Sequence, residues 1–424
     1  MKRTLLLAGG LWWAAAGWCG DGSGPLTLER ALELAEASHP AIALANARAV
    51  AAEAELRQVE ASDDLTFSLE GRLAYLEPAR LSNFRERNDS SAQLRVEKRL
   101  YDFGYTEARE ASAARRLEAA RAALLDARQA HLLKVMRAFF DVLLADLEYA
   151  RDNEAMSVAF VRLDKARQRH ELGRVSDLEL SRLEDRYQQI LVRRTASEAR
   201  QRETRLKLAL AINRPESLPG ELVEPDPPRL DGELPDLSRL LEEVLQDNPR
   251  LRELRADVEA AEQALVAAGR RYGPVLRGEV AAGAWNRETR STHPFEAALV
   301  LELPLYSGDR GDAEAAAARS RLLEAQARLD LSRHELRQQV TELWLELQQL
   351  QRRARALMGK GGYRDLYLDR SRTLYDLERA TDLGDAMVRI SEVKLEVARV
   401  HYQWLLDQAR LRALAGRLLQ GEEG

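Results

Sequence analysis

The sequence is written twice. Residues 31–56 (ALELAEASHPAIALANARAVAAEAEL) align with residues 240–265 (LLEEVLQDNPRLRELRADVEAAEQAL). His39-Pro40 then falls on Asn248-Pro249, Ala52-Glu53 on Ala261-Glu262, and Leu56 on Leu265. Further along, Leu100-Tyr101 returns as Leu305-Tyr306, and Ser176-Asp177-Leu178 as Thr381-Asp382-Leu383. The offset stays at roughly 205–209 residues, far beyond the roughly 20–50-residue periods of solenoids. Two long halves of like construction are therefore expected, and a reading of one half can be checked on the other.

Each half opens with a helix broken at a proline. Asn248 can cap the restart with Pro249 at the first helical position, where its missing N–H costs nothing; Ser38 or His39 does the same before Pro40. A period of two follows. Leu65, Phe67, Leu69, Gly71, Leu73 and Tyr75 alternate with polar neighbours, as do Ala92, Leu94, Val96 and Leu100 after a polar turn. The second half repeats this over Leu276–Trp285 and Phe295–Leu305, with Pro304 placed where pairing is about to stop. Long helical stretches come next, about Thr106–Leu172 and Asp312–Leu377, each roughly 100 Å long at 1.5 Å per residue. Their apolar seams step by three and four: Leu132, Val135, Phe139, Val142 in one, Leu336, Val340, Leu343, Leu347, Leu350 in the other. Return helices carry Leu180, Leu183, Tyr187, Ile190 and Ile390, Val393, Val397, Val400, Trp404.

This pattern divides the chain into residues 1–24 (signal peptide and short N-terminal segment), 25–214 (first repeat), 215–236 (proline-rich strap), 237–418 (second repeat) and a tail, 419–424. Lys2-Arg3 before the apolar stretch Leu5–Trp18, with Ala14-Ala15-Ala16 as cleavage site, has the layout of an export signal. Its removal takes the formal charge from −5 to about −7. Cys19, the only cysteine, permits no intrachain disulfide, and Trp18 fits poorly before a lipidated cysteine. The acidic balance offers no basic footprint for nucleic acid. No internal run reaches about 18 uncharged apolar residues, which argues against a multi-span helical membrane protein.

The strands carry the inference. Four amphipathic strands leave unpaired edges, and membrane β-structure must close into a barrel of at least about eight strands. One chain must then supply a fraction of it and oligomerise. The competing reading is a soluble periplasmic coiled-coil scaffold or adaptor, which needs the apolar strand faces buried in the chain's own core.

In its helix–Pro–helix openings (His39-Pro40, Asn248-Pro249), its strand exits (Leu100-Tyr101-Asp102-Phe103-Gly104; Leu303-Pro304-Leu305-Tyr306-Ser307-Gly308) and its turns between long helices, the chain resembles the TolC-like outer-membrane efflux family over nearly its whole length. The resemblance implies a mainly α fold with β, in two tandem repeats of long coiled-coil-like helices plus a two-stranded hairpin. It further implies a homotrimer whose strands form a twelve-stranded barrel in outer-membrane lipid, continuous with a periplasmic α-barrel. Such a duct works with a periplasmic adaptor (membrane fusion) protein and an inner-membrane transporter. Two departures stand out: Glu378 replaces the glycine that Gly173 supplies at the first tip turn, and Gly359-Lys360-Gly361-Gly362 should weaken or kink the second long helix.

No catalytic pattern is present. The histidines are scattered without HExxH, and Gly359-Lys360-Gly361-Gly362 lacks the spacing of a phosphate loop, so neither enzyme activity, a cofactor nor a metal is expected. The residues with functional promise are Arg174, Asp177 and Glu179 in the first tip turn and Arg379, Asp382 and Asp385 in the second. In threefold repetition they would ring the narrow end. Carboxylate rings select cations, and Arg–Asp pairs can hold an end shut. The plainer reading is a set of charges solvating exposed turns. Substrate identity is not legible.

Overall fold

The structure, a computed structural model, describes residues 25–37, 39–78, 86–287, 292–377 and 382–419. The export signal and Cys19 lie outside them.

The chain runs α1 (Leu28–Ala37), α2 (Pro40–Glu60), β1 (Thr66–Arg72), β2 (Ser91–Tyr101), α3 (Tyr105–Glu171) and α4 (Asp177–Ala211). It continues α5 (Leu237–Asp247), α6 (Pro249–Arg270), β3 (Val275–Trp285), β4 (Phe295–Glu302), α7 (Arg310–Asp376) and α8 (Leu383–Leu414). Both proline restarts are capped as expected. His39 Nδ1 accepts the Ala41 N–H at 3.1 Å, and Asn248 Oδ1 accepts the Leu251 N–H at 3.0 Å. Asn248 also donates to the Leu414 carbonyl at 2.8 Å, tying the α5–α6 joint to the end of α8.

The four strands form one antiparallel sheet in the order β1-β2-β3-β4. Its register places like residues opposite one another. Leu69 pairs with Leu94 and Leu94 with Ala282; Phe67 pairs with Val96, Val96 with Val280 and Val280 with Ala297. One face is therefore apolar across all four strands, except for Lys98 opposite Gly278. The other holds Thr66, Arg95, Glu97, Glu279 and Arg277. Among the described residues nothing covers the apolar face: Leu69 is 76% and Leu299 73% exposed.

Two strands end sooner than their alternation predicts. β1 stops at Arg72, with Tyr75 reaching only an isolated bridge to Asn88. β4 stops at Glu302, because Pro304 has no N–H to extend the ladder.

Both long helices have 67 residues, about 100 Å. The second is helical straight through Gly359–Gly362, correcting the expected interruption. There Lys360 Nζ pairs with Glu396 of α8 at 2.7 Å, and a Cβ on Gly361 would lie 3.9 Å from Val393. Packing against α8 compensates for the weak propensity of the glycines.

Two cores hold the helices together. The first gathers Ala31 and Ala35 of α1, Leu132–Val142 of α3 and Leu208 of α4; the second gathers Val244, Leu251 and the α7 seam from Leu329 to Ala354. Helix α8 belongs to both. Ala398, Tyr402, Leu406 and Ala409 face the first core, while Val400, Trp404 and Leu411 face the second. The strap is pinned along its length: Tyr402 donates to Glu224 at 2.7 Å, Gln351 to the Gly232 carbonyl at 2.7 Å, and Trp344 to the Pro235 carbonyl at 3.0 Å.

Candidate functional site at the helical tips

Two helix hairpins end away from the sheet. The first turn is built by local rules. α3 terminates in a Schellman-type motif, with Gly173 at φ 69°, its N–H donating to His170 O and the Arg174 N–H to Arg169 O, each at 2.8 Å. Ser176 then caps α4 by accepting the Glu179 N–H at 3.3 Å. His170 closes the turn from inside. Its Nδ1 donates to the Val175 carbonyl at 2.8 Å, and its Nε2 lies 3.3 Å from Asp177 Oδ1.

The second turn is built differently. Residues 378–381 lie outside the described residues, and Arg379 with them. Asp382 is the N-cap of α8 but makes no side-chain cap bond. Its carboxylate turns back to α7 instead, accepting from the Tyr367 hydroxyl and from Ser371 Oγ. Asp385 reaches α3, where Arg162 holds it at 2.6 Å.

That last contact belongs to a seam joining the two hairpins. Along α3 and α8, Glu148 meets Arg399, Glu154 accepts from Ser391 at 2.5 Å, Val158 packs on Gly384, and Arg162 pairs with Asp385. Gly384 is needed there, since a Cβ would stand 2.9 Å from both Val158 methyl carbons.

Of the six residues singled out from the sequence, Asp382 and Asp385 are thus tied to neighbouring helices. Asp177 engages His170; Glu179 lies 4.0 Å from Arg182 on its own helix. Arg174 is exposed, and its backbone N–H is engaged by the turn. The partners His170, Arg162, Tyr367, Ser371 and Gly384 were not anticipated. His170 carried a signal, lying one turn before Gly173, whereas Arg162 is 223 positions from Asp385 and local sequence cannot pair them.

Residues 240–417, from within α5 to just past α8, match the family model described as outer membrane efflux protein. This second half of the chain is thus similar to an outer membrane efflux protein domain. No curated protein sequence matches significantly. Solved structures with the same fold include the Vibrio cholerae outer membrane protein VceC, at 17% identity and TM-score 0.72, over 92% of this chain and 96% of that one. The Campylobacter jejuni CmeC outer membrane channel aligns at 13% identity and TM-score 0.75, over 100% and 96%. The open-state Neisseria gonorrhoeae MtrE channel aligns at 18% and 0.70, over 92% and 89%. The efflux-protein domain covers α5–α8, β3 and β4; the structural likeness extends over the first half as well.

Proposed function

We propose that the chain is an outer-membrane exit duct, in which three copies close a twelve-stranded barrel and their helices continue it into the periplasm. The observation that carries this is the sheet, which among the described residues has four strands, both edges open, and one face that is apolar but for Lys98 and uncovered. An 11-residue strand tilted by about 45° rises about 26 Å, the height of the apolar band of an outer-membrane barrel. With four antiparallel strands per chain, joining β4 of one copy to β1 of the next keeps every neighbour antiparallel, so closure removes all edges. Among the described residues no helix is long and apolar enough to cross a membrane.

A periplasmic adaptor docks on the tips and an inner-membrane transporter supplies the energy. The tip residues Arg174, Asp177, Glu179, Arg379, Asp382 and Asp385 form the gate. Arg162–Asp385 and the Tyr367–Asp382–Ser371 contacts support this reading, because they tie the second hairpin's start to α3 and α7. Each exposed pair is worth only about 0–1 kcal/mol, so a threefold set is reversible by a docking partner.

Fractionation tests the duct: the protein should sediment with outer membranes and migrate as a heat-modifiable trimer. Recovery as a soluble periplasmic monomer would favour the scaffold reading. The gate is tested in planar bilayers, where Asp385→Ala combined with Asp382→Ala should raise conductance without altering trimer yield.

A further inference from the structure

Between the sheet and the midpoint of the long helices, α2, α3, α6 and α7 pack side by side in that order. One cavity of about 690 Å³ touches all four. A row of four helices can share a cavity only on the concave side of a curved wall, and in the duct proposed above that side is the lumen.

The chemistry of this wall is one-sided. Its floor is alanine, contributed mainly by α6 and α7. Five arginines stand on it against three carboxylates, Glu55, Asp257 and Glu314. Three of the arginines are held: Arg116 by Glu55 at 2.6 Å, Arg271 by Glu314 at 3.2 Å and Arg328 by Glu324 at 2.5 Å. Two are not. Among the described residues neither Arg109 nor Arg321 has an ion-pair partner, Arg109 lying only near the Tyr105 ring, 5.6 Å from its centroid. Asp257 is a poor counter-charge, because burial pushes its carboxyl up against the opposing pull of Arg250, Arg116 and Arg328.

We propose that this wall is a binding belt for anionic cargo, meaning small molecules bearing carboxylate or phosphate groups, in the part of the duct next to the barrel. A guanidinium offers two parallel N–H donors to such groups. Short alanine side chains leave the arginines standing clear of the wall. A lumen walled by low-dielectric protein focuses their field, and threefold repetition multiplies the two free guanidiniums of each chain around one axis. The belt rests on the duct reading.

The test uses the full chain reconstituted in planar bilayers at low salt, with tripolyphosphate added from the barrel side. Wild-type channels should be blocked in a concentration-dependent way that added salt relieves. In Arg109→Gln/Arg321→Gln the blocking concentration should rise at least about tenfold, a loss of about 1.4 kcal/mol. The zero-current potential in a KCl gradient should move toward cation permeation, and Arg109→Lys/Arg321→Lys should restore both. Arg321→Gln alone, at an exposed position, gives the same direction of change if the double variant assembles poorly. Channels of normal conductance whose block and ion preference are identical in all variants would overturn the belt and leave the duct standing. An assembled trimer that never conducts, with or without an added adaptor, would overturn the duct and the belt together.

Discussion

At the scale of single residues, two buried titratable groups make the joints of this molecule sensitive to pH. His131 of α3 is 4% exposed and stacks on the His39 ring, centroids 3.9 Å apart, below the end of α4. Burial first, then the charges of His39 and Lys134, lower its pKa to about 4, with the Ala211 carbonyl opposing. In the unfolded chain the group protonates near its ordinary value of about 6.5. Its contribution to stability is therefore full above that value and is lost as pH falls toward 4, at about 1.4 kcal/mol per pH unit. Thermal unfolding between pH 7 and 4 should show this loss, and His131→Leu should flatten it. Asp102, in the turn from β2 to α3, has the opposite sign. Burial raises its carboxyl, but hydrogen bonds from the Thr106 hydroxyl and N–H, together with Arg99, outweigh that and hold it below its ordinary value. Its stabilisation is present above the unfolded value near pH 4 and lost as pH falls through the lower folded one. Asp102→Ala should cost about 1–3 kcal/mol at neutral pH by leaving the first turn of α3 uncapped, read as a lower unfolding midpoint. Neither role was visible in the sequence. The Asp-x-x-x-Thr spacing of 102–106 and the histidine pair 39 and 131 are ordinary until the fold stacks or folds them together.

At the scale of elements, the seam between α3 and α8 decides how the two hairpins sit. Gly384→Val should push α8 from Val158, costing about 1–3 kcal/mol by overpacking. Trypsin cleavage at the tip arginines should accelerate while the far ends of the long helices stay protected; an unchanged cleavage rate would mean the seam does not hold the tips. The seams that sequence periodicity exposed were those of consecutive helices. Leu132, Val135, Phe139 and Val142 are all 5% exposed or less, as their spacing of three and four requires. The second face of α8 escaped that reading. Leu395, Ala398, Tyr402 and Leu406 are as buried as Val400 and Trp404, because the helix lies between two long partners rather than against one. Conversely, the glycines 359–362 looked like a break and are not one, since an amphipathic helix held along its length tolerates local loss of propensity.

At the scale of the whole molecule, the duct proposed above would cover the apolar sheet face with lipid and the open strand edges with further copies. Leu69→Arg or Leu299→Arg should lower barrel stability by about 2–4 kcal/mol at mid-membrane depth, seen as loss of heat-modifiable trimer. Arg95→Gln, on the opposite face, should assemble normally. Equal tolerance on both faces would mean that the apolar side does not meet lipid. Cysteines placed on β1 and β4 should cross-link between copies and not within one, since β1 and β4 are the two outer strands of the sheet.

Alternation at period two and seams at periods three and four are local, so the sequence alone determined that the strands and long helices exist, their capped proline joints, the apolar side of each strand and one seam of each long helix. The register that aligns Leu69, Leu94 and Ala282 across three strands was settled by pairing, and the apolar face it creates follows from the strict alternation within each strand. Distant partnerships were settled only by the tertiary structure: Arg162 with Asp385, Glu224 with Tyr402, Ser112 donating to the Ala260 carbonyl at 2.8 Å. In each, the two groups lie on different elements, and nothing in the neighbourhood of either encodes the other. The free arginines of the concave wall belong to the same class. Arg109 and Arg321 read as two more solvated charges among the 64 basic residues of the chain until the packing of four helices gives them a common side and withholds their partners.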